Sequence, residues 1–269
     1  VSAPRDFWIE LPDVMLRAVV QGGGAAGLVL LHELGGSLES FDDVAERLSP
    51  RFRILRYDQR GAGRSEKPRR AFSLADHARD LAGALAASAL APPFFLAGVA
   101  AGAAIAVAAV LSGLGDVAGL ALCAPALTVP PERRAYLADR SALAAREGMR
   151  AIEATTLARS YPLPLRGDPA RFAAYRARFL ANDPVSYGHA NMALADADVA
   201  ERLSGVPVPC LMLAGQHDLL RPPADVEPLA TMIPGARFAV IDSGHLMAVH
   251  APDAMAAALA AFLDAETAR

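Results

Sequence analysis

The stretch Phe94-Phe95-Leu96-Ala97-Gly98-Val99-Ala100-Ala101-Gly102-Ala103-Ala104-Ile105 decides how the chain is read. An apolar run of strand length enters a turn with glycine on either side of residue 100, and an alanine-rich helix follows. This is the layout of a nucleophile elbow, Gly-x-Nuc-x-Gly between strand and helix. Glycines are needed because the turn is tight and the nucleophile's backbone is strained. The helix N-terminus behind the turn offers backbone N–H groups to a developing anion. The nucleophile slot holds Ala100, which has no hydroxyl, thiol or carboxylate. In an alanine-rich chain the motif alone is weak, and its weight comes from its setting.

On either side, short aliphatic runs alternate with helical patterns. Strands are expected at Phe7–Leu11, Met15–Val20, Leu28–His32, Arg53–Tyr57, Phe94–Val99, Gly119–Cys123, Cys210–Ala214 and Arg237–Ile241. Amphipathic helices are expected near Ser40–Leu48, Leu74–Ala89, Ala101–Leu111, Ala224–Ile233 and Pro252–Leu263. Two early strands followed by strand–helix alternation predict an α/β fold: an eight-stranded, mostly parallel sheet with helices on both faces. Between about Thr128 and Ala200 the alternation stops, and helix follows helix with breaks at Pro162-Leu163-Pro164 and Asp183-Pro184. That segment reads as a helical cap at 128–200 inserted in a core made of 1–127 and 201–269. It would lie over the strand ends where open α/β sheets bind ligands.

Composition narrows the class. The 269 residues are 54% hydrophobic and 20% charged with net charge −3, enough apolar material for a buried core and no basic excess to attract nucleic acid. Residues 131–190 hold ten arginines against six acids, a local +4 that leaves −7 for the rest. Those arginines are either solvated helix faces or, for one or two, contacts for an anionic, carboxylate-bearing small molecule. From Leu81 to Gly115 no residue is charged, but Pro92-Pro93 interrupt the run, so a buried strand and helix are expected rather than a membrane span. Val1–Asp6 has no leader pattern, and a cytoplasmic location is expected. Cys123 and Cys210 lie in apolar runs and read as buried thiols. His77, His189, His217 and His250 have no metal-ligand spacing with partners, so no metal is expected; no organic cofactor is expected either.

Further segments give the elbow its setting. Leu28-Val29-Leu30-Leu31-His32-Glu33-Leu34-Gly35-Gly36-Ser37 is a strand running into a glycine-rich loop. Arg56-Tyr57-Asp58-Gln59-Arg60-Gly61-Ala62-Gly63-Arg64-Ser65 follows the next strand as a polar turn. Leu213-Ala214-Gly215-Gln216-His217-Asp218 ends a strand on an acid, and Ile241-Asp242-Ser243-Gly244-His245 ends the last strand on a histidine. Nucleophile slot, acid and histidine follow in that order. With the Asp58–Ser65 turn, the strand end at Leu122-Cys123 and the segment Asn182-Asp183-Pro184-Val185-Ser186-Tyr187, the chain resembles the α/β-hydrolase superfamily, and within it the 3-oxoadipate enol-lactonases. The resemblance covers nearly the whole chain.

The resemblance implies roles. Asp218 would hold and stabilise His245, His245 would be general base and acid, and the N–H groups of Leu34 and Ala101 would form an oxyanion hole. His32 would be a structural hydrogen-bonder. The expected pocket is lined by Glu33, Leu34, Ala100, Ala101, Cys123 and His245, for a lactone or ester. Two residues depart from the family pattern: Ala100 removes the covalent step, and Glu33 stands where a small residue is usual. Three readings are open. Alanine replaces a serine in an ordinary hydrolase; or the His245–Asp218 dyad works without a protein nucleophile, on water or by proton transfer or C–C cleavage with Glu33; or the fold is a silent binding module.

Overall fold

The computed structural model describes residues 4–196 and 198–268; Val1–Ala3, half of the segment read for a leader, lie outside it. β1 (Arg5–Leu11) and β2 (Val14–Gln21) form an antiparallel pair. β3 (Ala26–Leu31) leads through a 3-10 turn to α1 (Asp42–Leu48), β4 (Phe52–Tyr57) and α2 (Leu74–Ser88). β5 (Phe94–Val99), α3 (Ala101–Leu111) and β6 (Val117–Cys123) follow. Four helices come before the next strand: α4 (Pro131–Glu147), α5 (Arg150–Ser160), α6 (Pro169–Leu180) and α7 (Pro184–Ala195). The chain closes with β7 (Cys210–Gly215), α8 (Pro223–Thr231), β8 (Arg237–Ile241), the single turn α9 (Met247–His250) and α10 (Pro252–Thr267).

The eight strands are ordered β1-β2-β4-β3-β5-β6-β7-β8. β2 is antiparallel to both its neighbours, and all pairs from β4 to β8 are parallel. From β3 the chain goes to one side for β4 and to the other for β5. The crevice of a parallel sheet opens at such a switch point, beyond the carboxyl ends of β3 and β5. Leu34 and Ala100 stand just past those two ends.

Burial explains why these runs fold as they do. One sheet face packs α2, α3 and α8, with Leu81, Leu85, Ile105, Val107 and Val226 buried. The other packs α1 and α10 through Phe41, Val44, Leu48, Leu259 and Phe262. Each fully buried aliphatic or aromatic side chain contributes about 1.5–3 kcal/mol. α3 is buried on all sides except at its last residue, which accounts for the uncharged run ending at Gly115. Among the described residues, no helix is long and apolar enough to cross a membrane. α2 starts at a capping box in which the Ser73 hydroxyl accepts from the Asp76 N–H and the Asp76 carboxylate accepts from the Ser73 N–H.

The four helices after β6 have a core of their own. Ile152, Leu157, Tyr161, Tyr175, Phe179 and Tyr187 bury against one another and against Leu246 and Val249, just beyond His245. Asp168 and Asp183 cap α6 and α7, accepting from the N–H groups of Arg171 (3.0 Å) and Ser186 (2.8 Å). Asn182 Nδ2 donates to Gly35 O at 2.9 Å, tying the end of α6 to the loop after β3.

His77 on α2 is 4% exposed and its Nδ1 has no hydrogen-bond partner among the described residues. Burial above all, then the charge of Arg60, holds its pKa down at about 3. The unfolded chain takes up a proton at this residue near pH 6.5, and the folded chain does not. The stability it gives is therefore whole above about pH 6.5 and is lost as pH falls towards 3. His77→Leu should flatten the dependence of unfolding free energy on pH between 6 and 4, by up to about 1.4 kcal/mol per pH unit. Urea titrations at several pH values read this, and an unchanged slope contradicts it.

Candidate active site

The elbow is formed in full although its tip is alanine. Ala100 has φ 51° and ψ −107°, a conformation that costs a non-glycine residue about 1–3 kcal/mol. Its neighbours enforce it. A β-carbon on Gly98 would lie 2.3 Å from Gly102 C, and one on Gly102 would lie 2.1 Å from Leu31 O. α3 thus starts hard against the ends of β3 and β5. The Ala100 N–H donates to Cys123 O at 2.9 Å, and Ala100 O accepts from the N–H groups of Ala103 and Ala126. Neither Ala101 N–H nor Leu34 N–H donates to a protein acceptor among the described residues. Both residues line one cavity of about 160 Å³. Two uncommitted donors, one at a helix N-terminus, are the arrangement that holds an oxyanion.

The loop carrying Leu34 is pinned from below. His32 Nε2 accepts from Gln59 N–H at 3.1 Å, so its Nδ1 carries the proton and donates to Glu33 O at 2.8 Å. Gln59 Nε2 returns a bond to His32 O at 2.7 Å. The fully buried Asp58 accepts from Leu38 N–H (2.8 Å) and Arg64 N–H (2.7 Å). The Asp58–Ser65 turn is thus a clamp on the loop after β3. Gly35, at φ +84°, packs on the rings of Phe179 and Tyr187, where a β-carbon would stand 3.0 Å from Phe179.

On the other side of β5, Asp218 follows β7 and His245 follows β8. His245 Nδ1 donates to Asp218 Oδ2 at 2.9 Å, and Asp218 Oδ1 accepts from the N–H groups of Leu220 (2.7 Å) and Arg221 (2.9 Å). Burial alone would raise the Asp218 carboxyl; the hydrogen bond and charge of His245, with the two backbone donors, outweigh it and hold the pKa below the ordinary carboxylate value. The carboxylate therefore stays charged and fixes the imidazole's tautomer. Nε2 is the ring nitrogen left for the cavity that His245 lines.

Glu33 is 2% exposed and also lines the cavity. Its Oε1 accepts from Ser40 Oγ at 2.8 Å and lies where a Gly36 β-carbon would be, 2.1 Å away, so the carboxylate leans towards its own loop. Tyr175 on α6 faces it: burial first, then the charge of Glu33, pushes the phenol well above its usual pKa. Arg133, Arg140 and Arg221 line the same cavity.

The sequence analysis placed Glu33, Leu34, Ala100, Ala101 and His245 on one pocket, and the structure puts all five there. Cys123 is a correction. Its side chain does not line the cavity; it is fully buried in the core on the α1 and α10 face, with its thiol pKa raised by burial. Leu122 takes the opposite face, and in a strand buried on both sides the apolar pattern does not say which residue turns where. Tyr175 and the individual arginines were not singled out beforehand. The local +4 of residues 131–190 is the only signal for Arg133 and Arg140; Tyr175 carries no charge and Arg221 lies outside that segment.

Two substitutions test the elbow. Ala100→Gly relieves the strained φ and should raise stability by about 1 kcal/mol net of backbone entropy. Gly102→Ala should lower it by about 2 kcal/mol or more, because the clash is with backbone. Urea denaturation measures both, and a destabilised Ala100→Gly would show that the elbow is unstrained.

Known proteins share this architecture. The family model described as Serine aminopeptidase, S33 matches residues 24–245. A Klebsiella pneumoniae protein named carbamate hydrolase RutD is 31% identical over 227 residues, 80% of this chain and 82% of that one. A thermophilic esterase from Thermogutta terrifontis, solved with malate bound, superposes with TM-score 0.91 at 26% identity over 97% of this chain and 99% of the other. The enol-lactonase from Burkholderia xenovorans LB400 gives TM-score 0.89 at 28% identity over 96% and 100%. The fold, the family match and these relatives agree: the chain belongs to the α/β-hydrolases, in the family described as Serine aminopeptidase, S33.

Proposed function

We propose that this chain hydrolyses a small lactone or ester by direct attack of water, with His245 as general base and Asp218 as its orienting partner. The observation that carries this reading is the coexistence of an intact dyad with two uncommitted N–H donors around an alanine. Ala100 offers no proton for His245 to take, so the imidazole must act on water or on substrate. As the water oxygen attacks the carbonyl carbon, its proton passes to His245 Nε2, and the carbonyl oxygen becomes an oxyanion held by Leu34 and Ala101 N–H. When the tetrahedral carbon collapses, the bond to the leaving oxygen breaks and that oxygen takes the proton back from Nε2. The products are a carboxylic acid and an alcohol or enol.

Substrate reactivity follows from the missing hydroxyl. Losing the serine of a comparable triad costs on the order of 10⁶ in kcat, so direct attack suits an activated carbonyl such as an enol-lactone, whose leaving group is a stabilised enol. The helices of 128–200, read as a cap, would close over this site and exclude bulky substrates. The Thermogutta relative holds malate, which favours a substrate that itself bears a carboxylate.

A second reading has its own observation. Glu33 and Tyr175 meet on the cavity wall, a carboxyl and a buried phenol that direct hydrolysis does not use. Proton transfer between His245 and Glu33 on a ketone or enol would use it. One comparison separates the two. If water attack is the reaction, Asp218→Asn lowers hydrolysis of a small enol-lactone by about 10²-fold or more through the wrong imidazole tautomer, and Glu33→Gln changes it less than about threefold. A large loss in Glu33→Gln assigns the chemistry to proton transfer, and an unchanged rate in Asp218→Asn rules out both.

A further inference from the structure

Two helices supply one wall of the cavity. Arg133, Leu137 and Arg140 of α4 line it, and so do Tyr187, Asn191 and Leu194 of α7. Each set has the spacing i, i+4, i+7, which is one face of a helix. Asn191, 3% exposed, sits in the middle of the α7 face. Its Nδ2 donates to Leu137 O at 3.2 Å and to Ser141 Oγ at 2.9 Å, both on α4. Ser141 Oγ gives its own proton to Leu137 O at 2.8 Å. A backbone carbonyl only accepts, so the amide must turn its nitrogen to α4. Oδ1 is then the atom left for the cavity, and no donor reaches it among the described residues. One turn earlier, Tyr187 Oη accepts from Arg140 Nη2 at 2.6 Å. A guanidinium only donates, so the phenolic proton must go elsewhere, and no acceptor takes it among the described residues. Burial holds the phenol above its usual pKa, so that proton stays in place. Water attack at the carbonyl uses neither group.

We infer that Asn191 Oδ1 and the Tyr187 O–H form a subsite for a hydroxyl group of the substrate, away from its reacting carbonyl. This rests on the hydrolytic reading of the site and adds a substrate feature to it: a lactone or ester that also bears an alcohol. A hydroxyl donates and accepts at one oxygen, so it gives its proton to Asn191 and takes that of Tyr187. A carboxylate has acceptors only and would set one acceptor against another at Asn191. An ammonium has donors only; it would leave the Tyr187 proton unmatched and stand beside the charge of Arg140. An alkyl group would leave both buried polar groups unpaired, and a site built this way rejects such an analogue.

Methyl ketones test the subsite without turnover, because their carbonyl can meet the Leu34 and Ala101 N–H groups but has no bond to hydrolyse. A series with a terminal hydroxyl at increasing distance from the carbonyl is compared, by NMR titration, with alkyl methyl ketones of equal length. At one length or more, the unmodified chain should bind the hydroxyketone at least about tenfold more tightly, and Asn191→Leu should abolish the preference. Tyr187→Phe keeps the ring and should cut the preference by about threefold or more, which carries the test if Asn191→Leu does not fold. His189→Ala, on α7 but outside the cavity, should leave it intact. No preference at any length overturns the subsite, as does one that survives in full in Asn191→Leu or Tyr187→Phe, or one lost in His189→Ala. A chain that prefers the hydroxyketone but hydrolyses no lactone would remove the hydrolytic reading and leave the subsite standing. One that hydrolyses the lactone without that preference would do the reverse.

Discussion

The close approach of α3 to the ends of β3 and β5 is the constraint on which the site depends. Gly98 and Gly102 have no room for a β-carbon because backbone fills the space on the far side of each. Contact at that distance forces Ala100 into its positive φ and starts the helix directly at Ala101. The Ala101 N–H is then an uncommitted donor at a helix N-terminus, facing the switch point of the sheet. Leu34 is brought opposite by a loop that His32, Gln59 and Asp58 hold through backbone and side-chain bonds. Strain of this kind persists only where its surroundings over-determine it. The elbow keeps that strain without a nucleophile to present, and what it still presents is the pair of N–H donors.

Electrostatics adds direction to this geometry. On the β7 and β8 side, Asp218 stays charged in a buried place because three donors converge on it, and that fixes the imidazole. On the β3 side, Glu33 accepts from Ser40 Oγ and leans towards its own loop while still lining the cavity. Arginines from α4 and the loop after β7 supply the opposite sign. The cavity between them therefore carries opposite charge on its two walls.

Much of this was legible in the residues. β5 and β8 begin and end where the aliphatic runs do, and α3 begins at the residue after the elbow. Such runs are bounded by glycine or polar turns, so their limits are local properties. The order of elbow, acid and histidine located the dyad for the same reason. Face was harder to read. Cys123 and Leu122 are equally apolar in a strand covered on both sides, and only packing decides between them. Glu33 finds Ser40 through a turn whose path is set by Asp58, from the next strand. Arg133, Arg140 and Tyr175 depend on how the helices of 128–200 rotate over the sheet. Their short amphipathic patterns do not specify that rotation. The single turn α9 is too short to show a period at all.

The central claim is that His245 is the working base of a site without a protein nucleophile. The most direct measurement is the initial rate of hydrolysis of a small enol-lactone by the unmodified chain and by His245→Ala, side by side with the uncatalysed reaction. The account predicts turnover by the unmodified chain and a fall of about 10²-fold or more in the variant, in line with the usual worth of a positioned acid–base group. Equal rates in the two proteins would contradict it.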